Sequence, residues 1–287
     1  MPATKSSPIP VGVEELGADV VLLAEAVVAA GTLALTFYGN QPQAWTKHGN
    51  SPVTEADIAA DRLLKAMLMA ARPDYGWLSE ETTDTDERLD RTRLFVVDPI
   101  DGTRAFIAGD PRWTVSAAVI EGERPIAAAL YQPVTADLML AGVGKGARRA
   151  SGRMEVGLRT ELIGALLSGP KRLAGAEAAL MARGAHVEPY VPSLALRIAQ
   201  VADGRVDATF ASDKANDWDL AAADLILVEA GGQIVDADGN PPVYNRPNPR
   251  HPPLTAAGPG LIDLCRDLLG TFIAPHAPRG RGSPRDA

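Results

Sequence analysis

Apolar residues recur at helical spacing across residues 13–37, where Leu23, Val27, Gly31 and Leu35 share one face. The period is lost over 39–52, which reads as a loop. A second helix starts at Thr54, because Thr54-x-x-Asp57 matches a capping box in which the hydroxyl and the acid three residues on satisfy each other's free backbone N–H groups. Its buried stripe is Ala60, Leu63, Leu64, Met67, Leu68 and Ala71, and Arg72-Pro73-Asp74 ends it.

The texture then changes to short strands. Residues 76–80 and 94–98 are apolar runs that each finish on a carboxylate, Glu80 and Asp98. Strands over 114–121, 126–131 and 138–141 follow, separated by turns at 121–123 and 133–137 in the manner of an antiparallel meander. Another turn covers 142–146. From there strands (164–167, 206–210, 233–235, 254–257) alternate with helices (177–182, 194–202, 219–230, 261–269), which predicts a layered α/β arrangement. The expected organisation is an N-terminal half over 11–150 and a C-terminal half over 151–272. Tails at 1–10 and 274–287, poor in apolar residues, are expected to be disordered.

Composition narrows the function. The formal net charge of −8 opposes a broad basic surface, so nucleic acid is not an expected partner. A bound cation reverses the local charge, so an anionic substrate remains compatible. The single cysteine, Cys265, excludes an intrachain disulfide and a thiolate zinc site. The apolar stretch 20–37 carries Glu25 and follows acids, not the basic flank of a signal peptide, and no uninterrupted run reads as a membrane span. A cytoplasmic protein without membrane attachment is the expectation. The histidines are scattered without zinc spacing, and Gly142-Val143-Gly144-Lys145-Gly146 lacks the gap and hydroxyl residue of a phosphate loop.

The carboxylates carry the chemistry. Asp98 ends a strand, Asp101 follows after a proline that leaves the ladder, and Asp219 precedes an apolar helix. Acids converging on one cleft repel unless a cation sits among them, and hard cations such as magnesium take oxygen ligands. Gly102-Thr103 supplies backbone N–H groups for an anion if a helix starts there. Each feature also has an ordinary reading. Asp219 could be only a helix N-cap, Glu80-Glu81 a solvated turn, Asp57 only the capping-box acid, and Asp101-Gly102 a plain turn.

Together, Trp77-Leu78-Ser79-Glu80-Glu81, Asp98-Pro99-Ile100-Asp101-Gly102-Thr103 and Trp218-Asp219 with Glu229-Ala230-Gly231-Gly232 resemble the inositol monophosphatase superfamily in order and spacing. The resemblance runs from about residue 15 to 272. It implies an α/β (α+β) fold, the layered αβαβα sandwich of the inositol monophosphatase and fructose-1,6-bisphosphatase type, and a lithium-sensitive, magnesium-dependent phosphomonoesterase. On that resemblance Glu80, Asp98 and the carbonyl of Ile100 would hold one Mg2+, and Asp98, Asp101 and Asp219 a second. Thr103 would orient the attacking water, and Asp57 would support Thr103 and a third, weaker ion. The Gly102 and Thr103 amides would receive the phosphate, with no covalent phosphoenzyme.

Thr103-Arg104-Ala105-Phe106, Asp110-Pro111-Arg112-Trp113-Thr114-Val115 and Val243-Tyr244-Asn245-Arg246-Pro247-Asn248-Pro249 look like bacterial 3′(2′),5′-bisphosphate nucleotidases. The substrate expectation is therefore a small phosphorylated metabolite, adenosine 3′,5′-bisphosphate, cut to AMP and phosphate. Alternatives are inositol 1-phosphate, a histidinol phosphatase-like substrate, or a regulatory, protein-binding member of the family. Lys171, Arg172 and Lys214 are candidates for a second substrate phosphate, or else solvated surface cations. The inositol phosphatases' acidic substrate-side residue has no clear counterpart, although Asp213 and Asp217 lie nearby. A homodimer is compatible with the resemblance, with no interface signature in the sequence.

Overall fold

The computed structural model describes residues 9–10, 12–40, 43–46 and 52–273. Most of both expected disordered tails, 1–8 and 274–287, lies outside the described residues. Helix α1 (Ala18–Leu35) buries Leu23, Val27 and Gly31, while Leu35 is only half-buried at its C-terminal end. The expected loop at 39–52 contains part of a hairpin of β1 (Ala44–Thr46) and β2 (Pro52–Thr54). Its three-residue strands are too short to print a period of two. Helix α2 (Glu55–Ala71) starts where its capping box predicts. Ala60, Leu64 and Leu68 are buried, Leu63 and Met67 half-buried, and Ala71, in the last turn, is exposed.

The first sheet has seven strands in sequence order: β3 (Gly76–Ser79), β4 (Arg93–Asp101), β5 (Thr114–Glu121), β6 (Arg124–Gln132), β7 (Asp137–Gly142), β8 (Gly146–Arg149) and β9 (Gly152–Arg153). Only β3 and β4 are parallel; the rest form the meander, which runs two strands beyond the expected end. Helix α3 (Thr103–Ile107) interrupts it between β4 and β5.

The second sheet is built from β10 (Leu166–Ser168), β11 (His186–Val187), β12 (Ala208–Ala211), β13 (Gln233–Val235) and β14 (Leu254–Ala257), in the order β11-β10-β12-β14-β13. Between its strands run α4 (Glu177–Met181), α5 (Leu194–Ala202) and α6 (Asp217–Glu229), and α7 (Ile262–Leu268) follows. Helix α6 begins two residues before the expected start, because Asn216 is its N-cap.

Three apolar clusters show how the layers stack. Phe95, Val97, Val115, Val119 and Leu140 face Leu23, Val27 and Leu64 of α1 and α2. The alternate positions Leu94, Val96, Ile120, Leu130 and Met139 face α5 and α6. Leu167 and Phe210 of the second sheet turn to Leu180 of α4 and Cys265 and Leu268 of α7. The order is α1/α2, first sheet, α5/α6, second sheet, α4/α7, an αβαβα sandwich. Burial on both faces explains why β4 to β7 read as near-continuous apolar runs although their sheet is mostly antiparallel. The α5/α6 layer shares one cluster with strands on both sides of residue 150.

Helix α1 is, by length and composition, apolar enough to cross a membrane, with a mean hydropathy of 1.9, although Asp19 and Glu25 interrupt the run. In the fold its apolar side chains pack on α2 and the first sheet, as in a core helix.

Candidate metal centre and active site

Strand β4 is straight to Asp98 and then shifts register, so that Asp98 pairs with Ser116 and the next pair is Asp101 with Thr114. Pro99 has no N–H to give the ladder, and the irregularity re-aims the acids that follow. Asp98 Oδ1 accepts the Ile100 N–H at 3.0 Å, which closes the turn. Gly102 then takes φ +96°, and a Cβ there would meet the Ser193 nitrogen at 3.2 Å and the Arg112 carbonyl at 3.3 Å. Only glycine fits that backbone between two walls. Phe106 of α3 packs edge-on against Trp113 with ring centroids 4.9 Å apart, anchoring the short helix.

Three other helices each bring an acid or its support. Asp57, in the first turn of α2, accepts the Thr54 N–H at 2.8 Å and hydroxyl at 2.6 Å. Its other oxygen lies 3.2 Å from Thr103 Oγ1, which is also 3.2 Å from the Ile100 carbonyl oxygen. Asp101 caps α5, accepting Ser193 Oγ at 2.6 Å and the N–H groups of Ala195 at 2.7 Å and Leu194 at 3.3 Å. Asp219, in the first turn of α6, accepts the Asn216 N–H at 2.7 Å. Asp57 is thus the capping-box acid of its ordinary reading, whereas Asp219 is the capping-box acid of α6 and not its N-cap, which is Asn216; both also stand at or beside the cleft.

Asp98, Asp101 and Asp219 present carboxylate oxygens within 4.8 Å of one another. They line a cleft of about 520 Å³ with Glu80, Gly102, Thr103, Lys214 and Trp218. Burial, then the charges of Glu80, Asp101 and Asp219, push the Asp98 carboxyl well above its ordinary value. Asp219 is likewise raised, by burial and then by Asp101 and Glu80. Burial raises Asp101 too, against the lowering effect of its Ser193, Ala195 and Leu194 hydrogen bonds and of Arg197. So many acids at close quarters are uncomfortable without a cation. Among the described residues the cleft lining includes no histidine or cysteine, and an all-oxygen donor set suits magnesium, manganese or calcium over zinc or copper.

Of the other expected residues, Ile100 is buried beneath Thr103, its carbonyl meeting the Thr103 hydroxyl. Lys171 and Arg172 are exposed and are not among the described residues that line the cleft. Lys171 Nζ sits 5.4 Å from the ring centre of Tyr190, which does line the cleft. They fall in a short 3-10 turn, Lys171–Ala176, after β10.

Arg197 escaped the sequence reading. It lines the cleft although 95% buried, and neither its Nε nor its Nη1 has a hydrogen-bond partner among the described residues. Burial lowers its pKa, while Tyr190, Asp101 and Asp219 raise it. The available signal was an arginine inside the apolar helix Leu194–Ala202, since arginine is rarely buried without a function or a partner.

The layered sandwich and the acid cluster at its strand and helix ends fit the class of metal-dependent phosphatases. The sequence matches the model of the inositol monophosphatase family over residues 19–267, and the chain belongs to that family of phosphoric monoester hydrolases and their relatives. It is 35% identical over 195 residues to the inositol-1-monophosphatase of Rhizobium meliloti, covering 65% of this chain and 73% of the relative. Among solved structures it resembles the Thermotoga maritima IMPase, with a TM-score of 0.78, 25% identity, and 88% and 96% of the two chains covered. The extragenic suppressor protein suhB of Bartonella henselae is similar at a TM-score of 0.77, 27% identity, and 88% and 98% coverage.

Proposed function

We propose that this chain is a Mg2+-dependent phosphomonoesterase acting on adenosine 3′,5′-bisphosphate, releasing phosphate and AMP. The observation that supports the metal chemistry is the convergence of Asp98, Asp101 and Asp219 within 4.8 Å. Glu80, Asp98 and the Ile100 carbonyl would hold one ion and Asp98, Asp101 and Asp219 another. Ions bound there would lower the pKa of a water and polarise a phosphoryl oxygen. The chain's own groups do the rest. The Thr103 hydroxyl, steadied by Asp57, orients the water, and the Gly102 and Thr103 amides at the start of α3 meet the phosphate.

A substrate with a second anionic group is supported by Arg197. A desolvated guanidinium with two unpartnered nitrogens beside the cleft is a strong donor for a phosphate that does not react. Lys214, also on the cleft wall, adds charge. Inositol 1-phosphate is the second reading, favoured by the similarity to the Rhizobium inositol-1-monophosphatase.

The test is magnesium-dependent phosphate release from adenosine 3′,5′-bisphosphate, inositol 1-phosphate, fructose 1,6-bisphosphate and histidinol phosphate. The bisphosphorylated nucleotide is expected to have the highest kcat/KM, and a preference for inositol 1-phosphate replaces the first reading by the second. No turnover of any of them refutes the enzyme. Arg197→Met is expected to raise KM for the bisphosphate by about 10- to 100-fold, the loss of one charge-assisted hydrogen-bond set. The change for inositol 1-phosphate should be several times smaller.

A further inference from the structure

Helix α6 places acids on opposite sides of its first turn. Asp217 and Asp219 are two residues apart, about 200° around the axis. Asp219 faces the cleft, whereas Asp217 is fully buried on the far side. There it meets the 245–251 segment. Asp217 Oδ2 accepts the Asn245 N–H at 2.9 Å, and Asp217 Oδ1 lies 2.7 Å from His251 Nε2. The backbones join as well, Asp217 N–H donating to the Pro249 carbonyl at 2.9 Å and His251 N–H to the Ala215 carbonyl at 2.8 Å.

The segment is held in turn from the first sheet's side. Arg88, buried in the connection between β3 and β4, donates to Asn245 Oδ1 at 2.8 Å and to the Arg246 carbonyl at 2.9 Å. Asp84 grips the other side of the same guanidinium, at 2.7 and 2.8 Å. Asn245 itself sits at φ +56°, a left-handed turn that aims both its N–H and its side chain. A continuous chain of polar contacts therefore links the strand pair that carries Glu80 and Asp98 to the helix that carries Asp219.

We infer that residues 245–251 clamp the first turn of α6, and that Asp217, His251 and Arg88 are positioning residues that set Asp219 against Asp98 and Asp101. Buried partners of this kind fix the orientation of a ligand they do not touch. The inference rests on the two-ion reading of the site above, and it assigns the clamp to one ion only. Glu80, Asp98 and the Ile100 carbonyl belong to β3, β4 and the turn after β3, so the ion they would hold does not depend on α6.

The experiment is a Mn2+ titration of the full chain, following free Mn2+ by electron paramagnetic resonance in the absence of substrate. Wild type is expected to bind two ions. His251→Ala is expected to weaken one step by about 10- to 100-fold and to leave the other within about twofold. His251→Gln, whose amide nitrogen can still donate to Asp217, is expected to restore the weakened step. Should His251→Ala not fold, Asn245→Gly keeps the positive φ and removes the acceptor for Arg88, and is expected to weaken the same step. Equal weakening of both steps, no weakening in a folded variant, or a His251→Gln as defective as His251→Ala overturns the clamp. A wild type that binds no Mn2+ overturns the metal site itself, a separate and visible outcome.

Discussion

Replacing Asp98 by asparagine should stabilise the metal-free protein while destroying its activity. The three carboxylates within 4.8 Å of one another set the magnitude. At that separation and an effective dielectric constant of about 20, each ionised pair repels by about 3.5 kcal/mol. Proton uptake relieves part of this, since Asp98 lies well above its ordinary value for reasons of burial and then of neighbouring charge. A folded-state pKa above the unfolded one contributes stability at low pH that is lost as pH rises through the folded value. Metal-free wild type therefore weakens toward neutral pH, and Asp98→Asn should be more stable than wild type at pH 7 by about 1–3 kcal/mol. The amide oxygen still accepts the Ile100 N–H, so no buried donor is stranded. Saturating magnesium should reverse the order. Wild type gains by mass action about 2.7 kcal/mol at a hundredfold excess over Kd, and the variant gains little. Urea unfolding at pH 7, with EDTA and with magnesium, reads all four states. A variant less stable than wild type in EDTA, or one stabilised by magnesium as much as wild type, refutes the reasoning.

Two further outcomes test the fold around the site. Asp224, buried against Tyr244, has its carboxyl pushed up to about 6 by burial, opposed by Arg124, the Tyr244 hydroxyl and His251. Its stabilising contribution is complete below the unfolded value and lost as pH rises through about 6, a swing of about 3 kcal/mol. Asp224→Asn should flatten the unfolding midpoint over that window, and an unchanged pH slope counts against it. Gly31→Ala adds a methyl 2.7 Å from Pro133 Cγ and Tyr131 Cδ1. The overpacking, about 1–3 kcal/mol, should outweigh the helix-propensity gain of about 1 kcal/mol. The Tm should fall, and a rise would show that Tyr131 moves freely.

What the sequence made legible was what local pattern encodes. The capping box at Thr54 located the start of α2, and the acids ending β3 and β4 were visible because strand ends stand out against apolar runs. Strands β8 and β9 were not, since Gly-Ala-Arg-Arg and Gly-Arg carry no apolar alternation and pair only because β7 offers an edge. Asp219 read as the first residue of its helix because Asn216 and Asp217 look like loop residues. Their helical role depends on His251 and Pro249, more than thirty residues away. Arg197 was hidden for the same reason. Its importance comes from a cleft assembled by β4, α5 and α6, and no window along the chain contains all three.

The site also explains how a protein can fold around acids that repel. Asp57, Asp101 and Asp219 each stand at the N-terminus of a different helix, α2, α5 and α6, and each accepts backbone N–H groups there. Each such cap stabilises by about 0.5–2 kcal/mol, and the positive end of the helix dipole adds about 0.3–1 kcal/mol. The gain is of the same order as the repulsion between one ionised pair, so part of the cost of gathering the acids is offset before any cation arrives. Asp98 is the exception: it stands within β4 at the register shift, caps no helix, and among the described residues its Oδ1 accepts the Ile100 N–H alone. It is also the acid that both proposed ions would share. Of these four aspartates, the one left least satisfied by the fold is therefore the one most dependent on metal, and this makes Asp98 the aspartate at which stability and activity should separate most widely.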